Sequence, residues 1–422
     1  MTDAILTIIG TSVYIPFLVY LVRTKWDKAT WSRQILLVLL TLQMTTILHI
    51  PSVMYCCAVL LLVALMAHLI IARPPFRRTP FLICAALYIA WFALSLSWSA
   101  MPGKGLRFLI DSGLPLLGFA TIGSVLSISR EEYERSMHVW WYAALIFVSV
   151  GIGTWLISCA QIHLWPWEWP LVGKVPVHDA YPYQWIFRFN GGLDGYTHPS
   201  YNLLPLFALL CLSLPFCKRN LLSKTLWWVI WSGGAGLSIL SQSRMSILYA
   251  AILFFGYFIY MQPTLKRRII TAGCIALLGI TAISLTASFW QIYGSDPYRD
   301  ALMEKTMVSI QSHPVMGVGA GSMVSMNAEE TIGSRPHNQW LADCVHGGVI
   351  AALLSLAMYI AVGIECIRKQ RWEAGIWLII FCILSLLEPP LYVGKGLYLF
   401  CLISCGLSLH CTSAVSREGC RD

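Results

Sequence analysis

A histidine followed by an asparagine, His337-Asn338, is the part of this sequence best suited to acid–base chemistry. The pair ends a polar segment and precedes a long apolar run that begins at Trp340. Because proline is suited to the first position of a helix, we predict that a helix begins at Pro336, with His337 and Asn338 in its first turn. The free N–H groups of such a turn favour a phosphate or a developing anion. The alternative is a histidine that only packs at the boundary between membrane and water.

Two roles compete for His337. As a general base it would be neutral and would take a proton from an attacking hydroxyl. As a phosphate ligand it would donate a hydrogen bond as an imidazolium. The helix start and the neighbouring Arg335 disfavour the protonated ring, whereas Glu329 and Glu330 would oppose this effect if the loop folds them inward. We therefore expect the base role, with Arg335 and Asn338 as secondary candidates for the site.

Two arginines are candidates for binding an anionic group. Arg188 lies between two phenylalanines, and the two glycines that follow allow the backbone to approach a ligand. Arg244 ends the polar turn Ser241–Arg244 between two apolar runs, with no acidic residue near it in sequence. A guanidinium there is costly unless an anion or a water-filled cavity receives it, and its planar fork matches phosphate oxygens. We expect both arginines to converge on a diphosphate; for Arg244 the alternative is a contact with lipid headgroup phosphates.

The composition is that of a polytopic, all-α membrane protein. Of the 422 residues, 57% are hydrophobic and only 12% are charged, which excludes a soluble globular protein. We predict a single transmembrane domain over residues 1–422, with about twelve transmembrane helices and one N-terminal segment that is short, tilted or interfacial. No cleavable signal peptide is evident, because the first basic residue follows the first apolar run. The apolar runs are 5–22, 34–50, 53–72, 81–98, 108–127, 138–160, 199–217, 225–241, 245–262, 269–288, 339–363, 373–387 and 396–411.

Basic residues indicate the orientation of the helices. Twenty of the 29 Lys and Arg residues fall in seven segments that we place in the cytoplasm. The net charge of +9 therefore reflects membrane topology and does not indicate a nucleic-acid partner. The other nine lie on the opposite face, where cations are disfavoured and a reason for each is expected. Among them, Lys104 and Arg107 are secondary candidates for phosphate binding. The nine are Lys104, Arg107, Lys174, Arg188, Arg244, Arg299, Lys305, Arg335 and Lys395.

Two polar segments, residues 161–199 and 289–338, are predicted to be sizeable periplasmic loops. The first is rich in tryptophan, which is typical both of an interfacial belt and of stacking on sugars. The second contains the run Gly317-Val318-Gly319-Ala320-Gly321. A Gly-x-Gly-x-Gly run binds phosphate when it follows a strand, and no strand is predicted before this one. We therefore predict a loop that packs on the membrane face.

A metal site has one candidate. Asp296, Asp300 and Glu304 are spaced by four residues, so a helix would place them on one face. Arg299 and Lys305 alternate with them, and this pattern is typical of a solvated helix with ion pairs, which we predict instead. The two polar segments contain no cysteine, and the 14 cysteines lie largely inside apolar runs. We therefore expect no metal, no cofactor and no disulfide in the site.

External arginines and one external histidine suit a reaction whose leaving group is a diphosphate. The arginines would stabilise the charge that grows on the leaving group. The histidine would take a proton from the attacking hydroxyl. Such a transfer needs no metal.

The motifs of this sequence resemble those of bacterial O-antigen ligases, which share a superfamily with O-antigen polymerases and protein O-oligosaccharyltransferases. His337-Asn338, followed by nine residues and then Gly348, resembles the ligase signature. The run from His313 to Gly321 is similar to the Pro-x-x-Gly-x-Gly element of the superfamily. The sequence departs from the pattern at Ala351, where a Gly, Thr or Val is usual.

Further elements extend the resemblance over the order of spans from about residue 80 to the end. Ser243-Arg244 resembles the Ser-Arg turn of the superfamily, and Arg188 resembles the arginine of its earlier periplasmic loop. The segment Leu96–Ser99, with the cations at 104 and 107, is also similar to a superfamily element. It is the combination of these elements that is specific for the superfamily.

The resemblance implies a glycosyltransferase-C-like enzyme of the bacterial inner membrane, with its active site facing the periplasm. It implies transfer of a completed O-antigen from undecaprenyl diphosphate to lipid A-core oligosaccharide, with inversion at the anomeric carbon. The partners are then this lipid-linked donor, the lipid A-core acceptor and membrane lipid, with no nucleic acid. A polymerase stays open as an alternative, because the sequence does not show which acceptor binds. A protein-glycosylating member would usually carry a larger C-terminal region.

A flippase or transporter of lipid-linked polysaccharide is the alternative from another class. It would also need arginines for a diphosphate, but it predicts ionisable residues deep in several spans and internal repeats. Four ionisable residues inside apolar runs, Asp111, Asp343, His346 and Glu388, mostly lie within about two turns of a span end. We find no repeat, and we therefore favour the enzyme.

Overall fold

The computed structural model is helical throughout most of the part of the chain that it describes. That part comprises residues 12–24, 26, 30–48, 51–161, 199–217, 221–240, 244–264, 266–274, 297–321, 336–408 and 410–411. The chain forms two compact units. The first unit takes Met1–Pro74, Ser127–Leu253 and His410–Asp422, and the second takes Pro75–Leu126 and Phe254–Leu409.

Helices make up nearly all of the secondary structure in these ranges. They are α1 (Ile15–Arg23), α2 (Trp31–Thr46), α3 (Pro51–Ala72), α4 (Pro80–Ser95), α5 (Pro102–Phe108), α6 (Leu114–Val125), α7 (Arg130–Gln161), α8 (Pro199–Leu212), α9 (Leu214–Cys217), α10 (Leu221–Leu240), α11 (Arg244–Met261), α12 (266–274), α13 (Pro297–Ser312), α14 (Gln339–Arg368), α15 (Trp372–Leu387) and α16 (Gly394–Ser408). Short 3-10 turns occur at Ser12–Tyr14, Leu96–Trp98 and Pro390–Tyr392, and Leu109–Gly113 is a π-helical turn between α5 and α6. Two-residue strands β1 (Ser127–Ile128) and β2 (His410–Cys411) pair in parallel.

Five helices in the described part of the chain are long and apolar enough to cross a membrane. They are Val53–Ala72, Pro80–Trp98, Pro102–Val125, Glu131–Gly153 and Gln339–Arg368, and several shorter helices are also apolar. The protein is therefore an all-α multi-pass membrane protein, as predicted. The number of about twelve crossings stays a prediction. The run 269–288 lies mostly outside the described residues, and the predicted loop 161–199 lies outside them apart from its ends.

An ion pair links two helices of the first unit. The guanidinium of Arg33, on α2, donates to both carboxylate oxygens of Glu132 on α7, at 2.8 and 2.6 Å. The same guanidinium donates to the carbonyl of Ser127 in β1. The pairing of an arginine fork with a carboxylate has strict geometry, so it holds α2 at a defined position against α7.

The second unit is built around α14, which packs along α4 and α15. Helix α4 begins at a strong local signal, because Thr79 Oγ1 accepts a hydrogen bond from the Leu82 N–H at 3.2 Å and Pro80 follows the cap. Aromatic rings fill the core between α14, α15 and α16: Phe381 stacks on Phe400 with ring centroids 5.0 Å apart, and Tyr359 contacts the same ring at 5.1 Å. This core fixes the direction in which α14 runs.

Part of the predicted loop 289–338 is folded. It contains α13, which carries Asp300 and Glu304 as the spacing of the acids predicted, and the described side chains of Glu304 and Lys305 are exposed. Asp296 and the side chain of Asp300 lie outside the described residues. After α13, residues 313–321 form a series of turns, which we call the glycine loop. This segment is a loop, as predicted.

Candidate functional site

The helix that bears the histidine motif begins at Gln339, with Asn338 as its N-cap. Asn338 has extended backbone angles, and its Oδ1 accepts a hydrogen bond from the Leu341 N–H at 3.0 Å. The prediction that the helix begins at Pro336, with His337 and Asn338 in its first turn, is wrong. An asparagine side chain satisfies one of the N–H groups that the first turn leaves free, and this contact outweighs the preference of proline for the first position. His337 therefore precedes the helix.

His337 is paired with a carboxylate. Its Nδ1 lies 3.0 Å from Oε2 of Glu388, and the histidine side chain is 30% exposed while that of Glu388 is 9% exposed. When Glu388 is ionised it can only accept hydrogen bonds, and the contact then requires the proton on Nδ1 of His337. In the neutral ring Nε2 is then the atom with the free lone pair. The two acids that were predicted to act on this histidine, Glu329 and Glu330, lie outside the described residues.

Glu388 follows the end of α15, at a position where the helix has to stop. Pro389 and Pro390 follow it, and the residue before a proline is biased towards extended backbone angles. Glu388 accordingly has φ −153° and ψ 155°. We call residues 388–392, which include the 3-10 turn, the proline turn. Asn338 Nδ2 donates to the Leu386 carbonyl at 3.0 Å, so the start of α14 contacts this region at a second point.

Helix α14 is interrupted at Gly347 and Gly348, and the glycine loop enters the interruption. At the break, the carbonyls of Val345 and His346 accept from the N–H groups of Val318 and Gly319, at 2.8 and 3.0 Å. The next carbonyl, of Gly347, accepts from the indole of Trp91 on α4 at 2.7 Å. Beyond the break, the Val349 N–H donates to the Pro314 carbonyl at 2.9 Å. Broken backbone at membrane depth is tolerated only where its polar groups find such partners.

A glycine is required at position 348. Its φ of +67° and ψ of −169° lie in a region that is essentially restricted to glycine. A Cβ at this position would also collide with the carbonyl of Val315 in the glycine loop. This explains in physical terms why, in the signature, nine residues after His337-Asn338 are followed by a glycine.

The opposite side of the glycine loop contacts the corner between α4 and α5. Ser99 Oγ donates to the Ala320 carbonyl at 2.6 Å, and the Ala320 N–H donates to Ser95 Oγ at 3.1 Å. The same corner leads into α5, which carries Lys104 and Arg107. The glycine loop therefore joins α14 to the segment that bears these two cations.

Lys104 and Arg107 are both exposed. Arg107 pairs with Asp111 one turn later, at 3.2 Å, and its side chain is 84% exposed. An exposed pair of this kind contributes little to stability, so the guanidinium can exchange the carboxylate for a phosphate at little cost. Their role as phosphate ligands stays a prediction.

The remaining predicted cations are only partly described. Arg188 and Arg335 lie outside the described residues, and Arg244 is the first residue of α11, with its side chain outside the description. Their predicted convergence on a diphosphate therefore stays a prediction. Among the described residues, no group of three or more His, Cys, Asp or Glu side chains has an arrangement that could hold a metal ion.

Glu388 is the site residue that motif analysis missed. Its signal in the sequence was an acidic residue at the end of the apolar run 373–387, a position where a charge is costly in a membrane and often marks a function. Asp343 and His346 gave the same signal, and both are buried in α14. From the sequence, the positions of these residues near the ends of spans favoured an enzyme over a transporter, and no role in the site was predicted for them.

Fold and site together define a class: a helical multi-pass membrane protein with a histidine–carboxylate pair beside a broken, glycine-dependent helix. Residues 228–356 match the family model described as O-antigen ligase. The match covers less than half of the chain, and it includes His337, Asn338, the glycine loop and Gly348. It confirms the resemblance to the O-antigen ligase superfamily that the motifs indicated. No curated protein matches the chain.

Proposed function

We propose that this protein is a glycosyltransferase that moves O-antigen polysaccharide from undecaprenyl diphosphate to lipid A-core oligosaccharide at the periplasmic face of the inner membrane. The observation that carries the proposal is the pairing of His337 with Glu388 immediately before the helix that bears the family signature. A histidine oriented by a carboxylate is a general base of a widespread kind. The base role, rather than the role of phosphate ligand, is the one that this pairing supports.

The reaction balances with the groups proposed. Glu388 accepts a hydrogen bond from His337 Nδ1–H, so Nε2 is available to take the proton of an acceptor sugar hydroxyl. The hydroxyl oxygen forms a bond to the anomeric carbon of the donor as its proton passes to Nε2. The bond between that carbon and the diphosphate oxygen breaks, and its electron pair leaves with undecaprenyl diphosphate. Direct attack of this kind inverts the configuration at the anomeric carbon.

The charge on the leaving group needs cations. We propose Arg188 and Arg244 as the diphosphate ligands, because a guanidinium binds two phosphate oxygens at once. Lys104 and Arg107 are proposed as secondary ligands, either for the donor or for phosphates of lipid A. Preorganised donors aimed at developing charge are a large source of catalysis, and in this proposal the arginines supply them without a metal.

The test is transfer in vitro by the purified full-length chain. The assay mixes an undecaprenyl-diphosphate-linked glycan with lipid A-core in the presence of EDTA, and it follows the glycan onto lipid A-core by gel mobility. We expect transfer by the wild-type chain and its loss by roughly 10²–10⁴-fold in His337→Ala. His138→Ala is the matched control and should keep full activity, because His138 is an exposed histidine of the first unit whose ring contacts Trp141 and Phe216.

The product of the assay distinguishes a ligase from the alternative functions. Transfer to a second lipid-linked glycan, with none to lipid A-core, would indicate an O-antigen polymerase. Movement of the lipid-linked glycan across a proteoliposome membrane without any transfer would indicate a flippase. Dependence on an added divalent cation after EDTA treatment would contradict the metal-independent reaction.

A further inference from the structure

Asp343 is a carboxylic acid that is fully buried in a membrane-spanning helix. Acidic residues at such positions are costly and are retained for a reason. Its Oδ1 accepts hydrogen bonds from the Tyr88 hydroxyl at 2.8 Å and from the Tyr392 hydroxyl at 2.9 Å. Its Oδ2 accepts from the Gln339 amide at 3.1 Å. The carboxylate thus accepts hydrogen bonds from α4, from the proline turn and from the first residue of its own helix.

The orientation of the Gln339 amide is determined by its partners. The Leu391 backbone N–H, in the proline turn, lies 3.0 Å from Gln339 Oε1. A backbone N–H can only donate, so the amide atom that faces it has to be oxygen. The amide nitrogen then faces Asp343, which accepts. Gln339 therefore links Asp343 to the proline turn: its amide nitrogen donates to Asp343, and its amide oxygen accepts from the Leu391 N–H.

The proline turn is tied to Asp343 at two points, through the Tyr392 hydroxyl and through Gln339. Glu388 is the first residue of this turn, and it contacts His337. Because the turn between Glu388 and Tyr392 is short and contains two prolines, a shift of the turn moves Glu388 with it. The chain of contacts runs from Asp343 to Glu388 without leaving the second unit.

We propose that Asp343 is a positioning residue for the His337–Glu388 pair, and that it acts through Gln339 and Tyr392 on the proline turn. This proposal rests on the proposed function, in which that pair takes the proton of the acceptor. Asp343 does not touch substrate. Its loss lets the turn relax, and Glu388 then no longer holds the imidazole at the orientation that catalysis requires.

Two tyrosines provide a matched comparison, because Tyr88 and Tyr392 donate to the same oxygen of Asp343 and both are buried. Only Tyr392 lies on the proline turn. We expect Tyr392→Phe to lower kcat about ten- to a hundredfold with KM for the donor nearly unchanged, because small misplacements of catalytic groups are expensive. Tyr88→Phe should keep kcat within about twofold of the wild type. Since each variant removes one hydrogen bond to the same oxygen, their thermal unfolding midpoints should shift similarly.

A polarity exchange tests the role of Gln339. In Gln339→Glu, the new carboxylate places an acceptor oxygen opposite Oδ2 of Asp343, so two buried acceptors oppose each other and kcat should fall. Adding Asp343→Asn makes position 343 a donor to this carboxylate, whose other oxygen still accepts from the Leu391 N–H. The double variant should therefore regain most of the lost kcat.

The outcomes separate this inference from the proposed function. If the wild-type chain transfers no glycan to any lipid acceptor, the proposed function fails. If it transfers, but Tyr88→Phe and Tyr392→Phe lose kcat equally, or the double variant is no better than Gln339→Glu, Asp343 has only a structural role and the inference fails. Should Tyr392→Phe fail to accumulate in the membrane, the polarity exchange decides alone.

Discussion

Replacement of Glu388 tests the proton-transfer step most directly. A hydrogen bond to a charged group contributes about 1.5–3 kcal/mol, and a factor of ten in rate corresponds to about 1.4 kcal/mol. Because the Glu388 side chain is 9% exposed and 3.0 Å from His337 Nδ1, water does not readily replace it. We therefore expect Glu388→Ala to lower kcat about 10- to 100-fold. Glu388→Gln should lose less, because a rotated amide can still offer an oxygen to Nδ1–H.

The double variant is the decisive measurement. Glu388 acts only through His337 in this mechanism, so His337→Ala/Glu388→Ala should be no less active than His337→Ala alone. The assay is kcat and KM for glycan transfer, measured on variants of equal membrane yield. Losses that multiply in the double variant, or an effect of Glu388→Ala on KM alone, would refute the reasoning.

A control for Glu388 exists in the same unit. Glu365 is similarly buried, its side chain 11% exposed against 9% for that of Glu388, but it lies near the other end of α14, where it pairs with Arg368 and Lys369. Glu365→Gln should change thermal stability without changing kcat. An equal loss of kcat in Glu365→Gln and Glu388→Gln would mean that any buried acid of this unit affects the rate through stability.

Three further changes have defined outcomes. Lysine at Arg188 or Arg244 keeps the charge but loses the two-point geometry, so each variant should lower transfer clearly, and full activity in both would rule out the diphosphate role. Neutralising Lys104 and Arg107 together should raise KM more than it lowers kcat, since they bind ground and transition states alike, and a fall in kcat at constant KM would contradict this. Gly348→Ala should destabilise the protein by several kcal/mol, because strained backbone of this kind costs about 1–3 kcal/mol and the collision of the new Cβ with Val315 adds to that cost. The thermal unfolding midpoint in detergent measures this loss.

Gly103→Ala is the control for the glycine substitution. A Cβ at Gly103 would meet no atom within 4 Å, and its φ is not positive. Within a helix, alanine is favoured over glycine by roughly 1 kcal/mol, so this variant should be as stable as the wild type or more stable. If Gly348→Ala were equally harmless, the close approach of the glycine loop to α14 would be wrong.

Sequence alone was sufficient for the class of protein and for most helices. A chain with 57% hydrophobic and 12% charged residues cannot cover its surface with polar groups, so lipid has to replace water around it. The apolar runs near 53–72 and 373–387 match α3 and α15 closely. The glycine run was recognised as a loop because no strand preceded it. The periodicity and composition of a segment decide these features locally.

The start of α14 shows where local signals conflict. Pro336 and Asn338 are both good helix-start residues, and they are two positions apart. The backbone of Asn338 is extended, and its side chain caps the Leu341 N–H while its amide nitrogen binds the Leu386 carbonyl. The second of these contacts is with another helix. Tertiary packing therefore favoured the asparagine, and it moved His337 out of the helix.

The partners of the motif residues came only from the tertiary structure. Glu388 lies 51 residues from His337, and the glycine loop meets α14 through backbone groups that have no side-chain signature. Sequence patterns report interactions within about four residues, because those are what the periods of helices and strands encode. Which distant carboxylate meets a histidine depends on how α15 packs against α14, and that packing is the sum of many small apolar contacts spread over both helices.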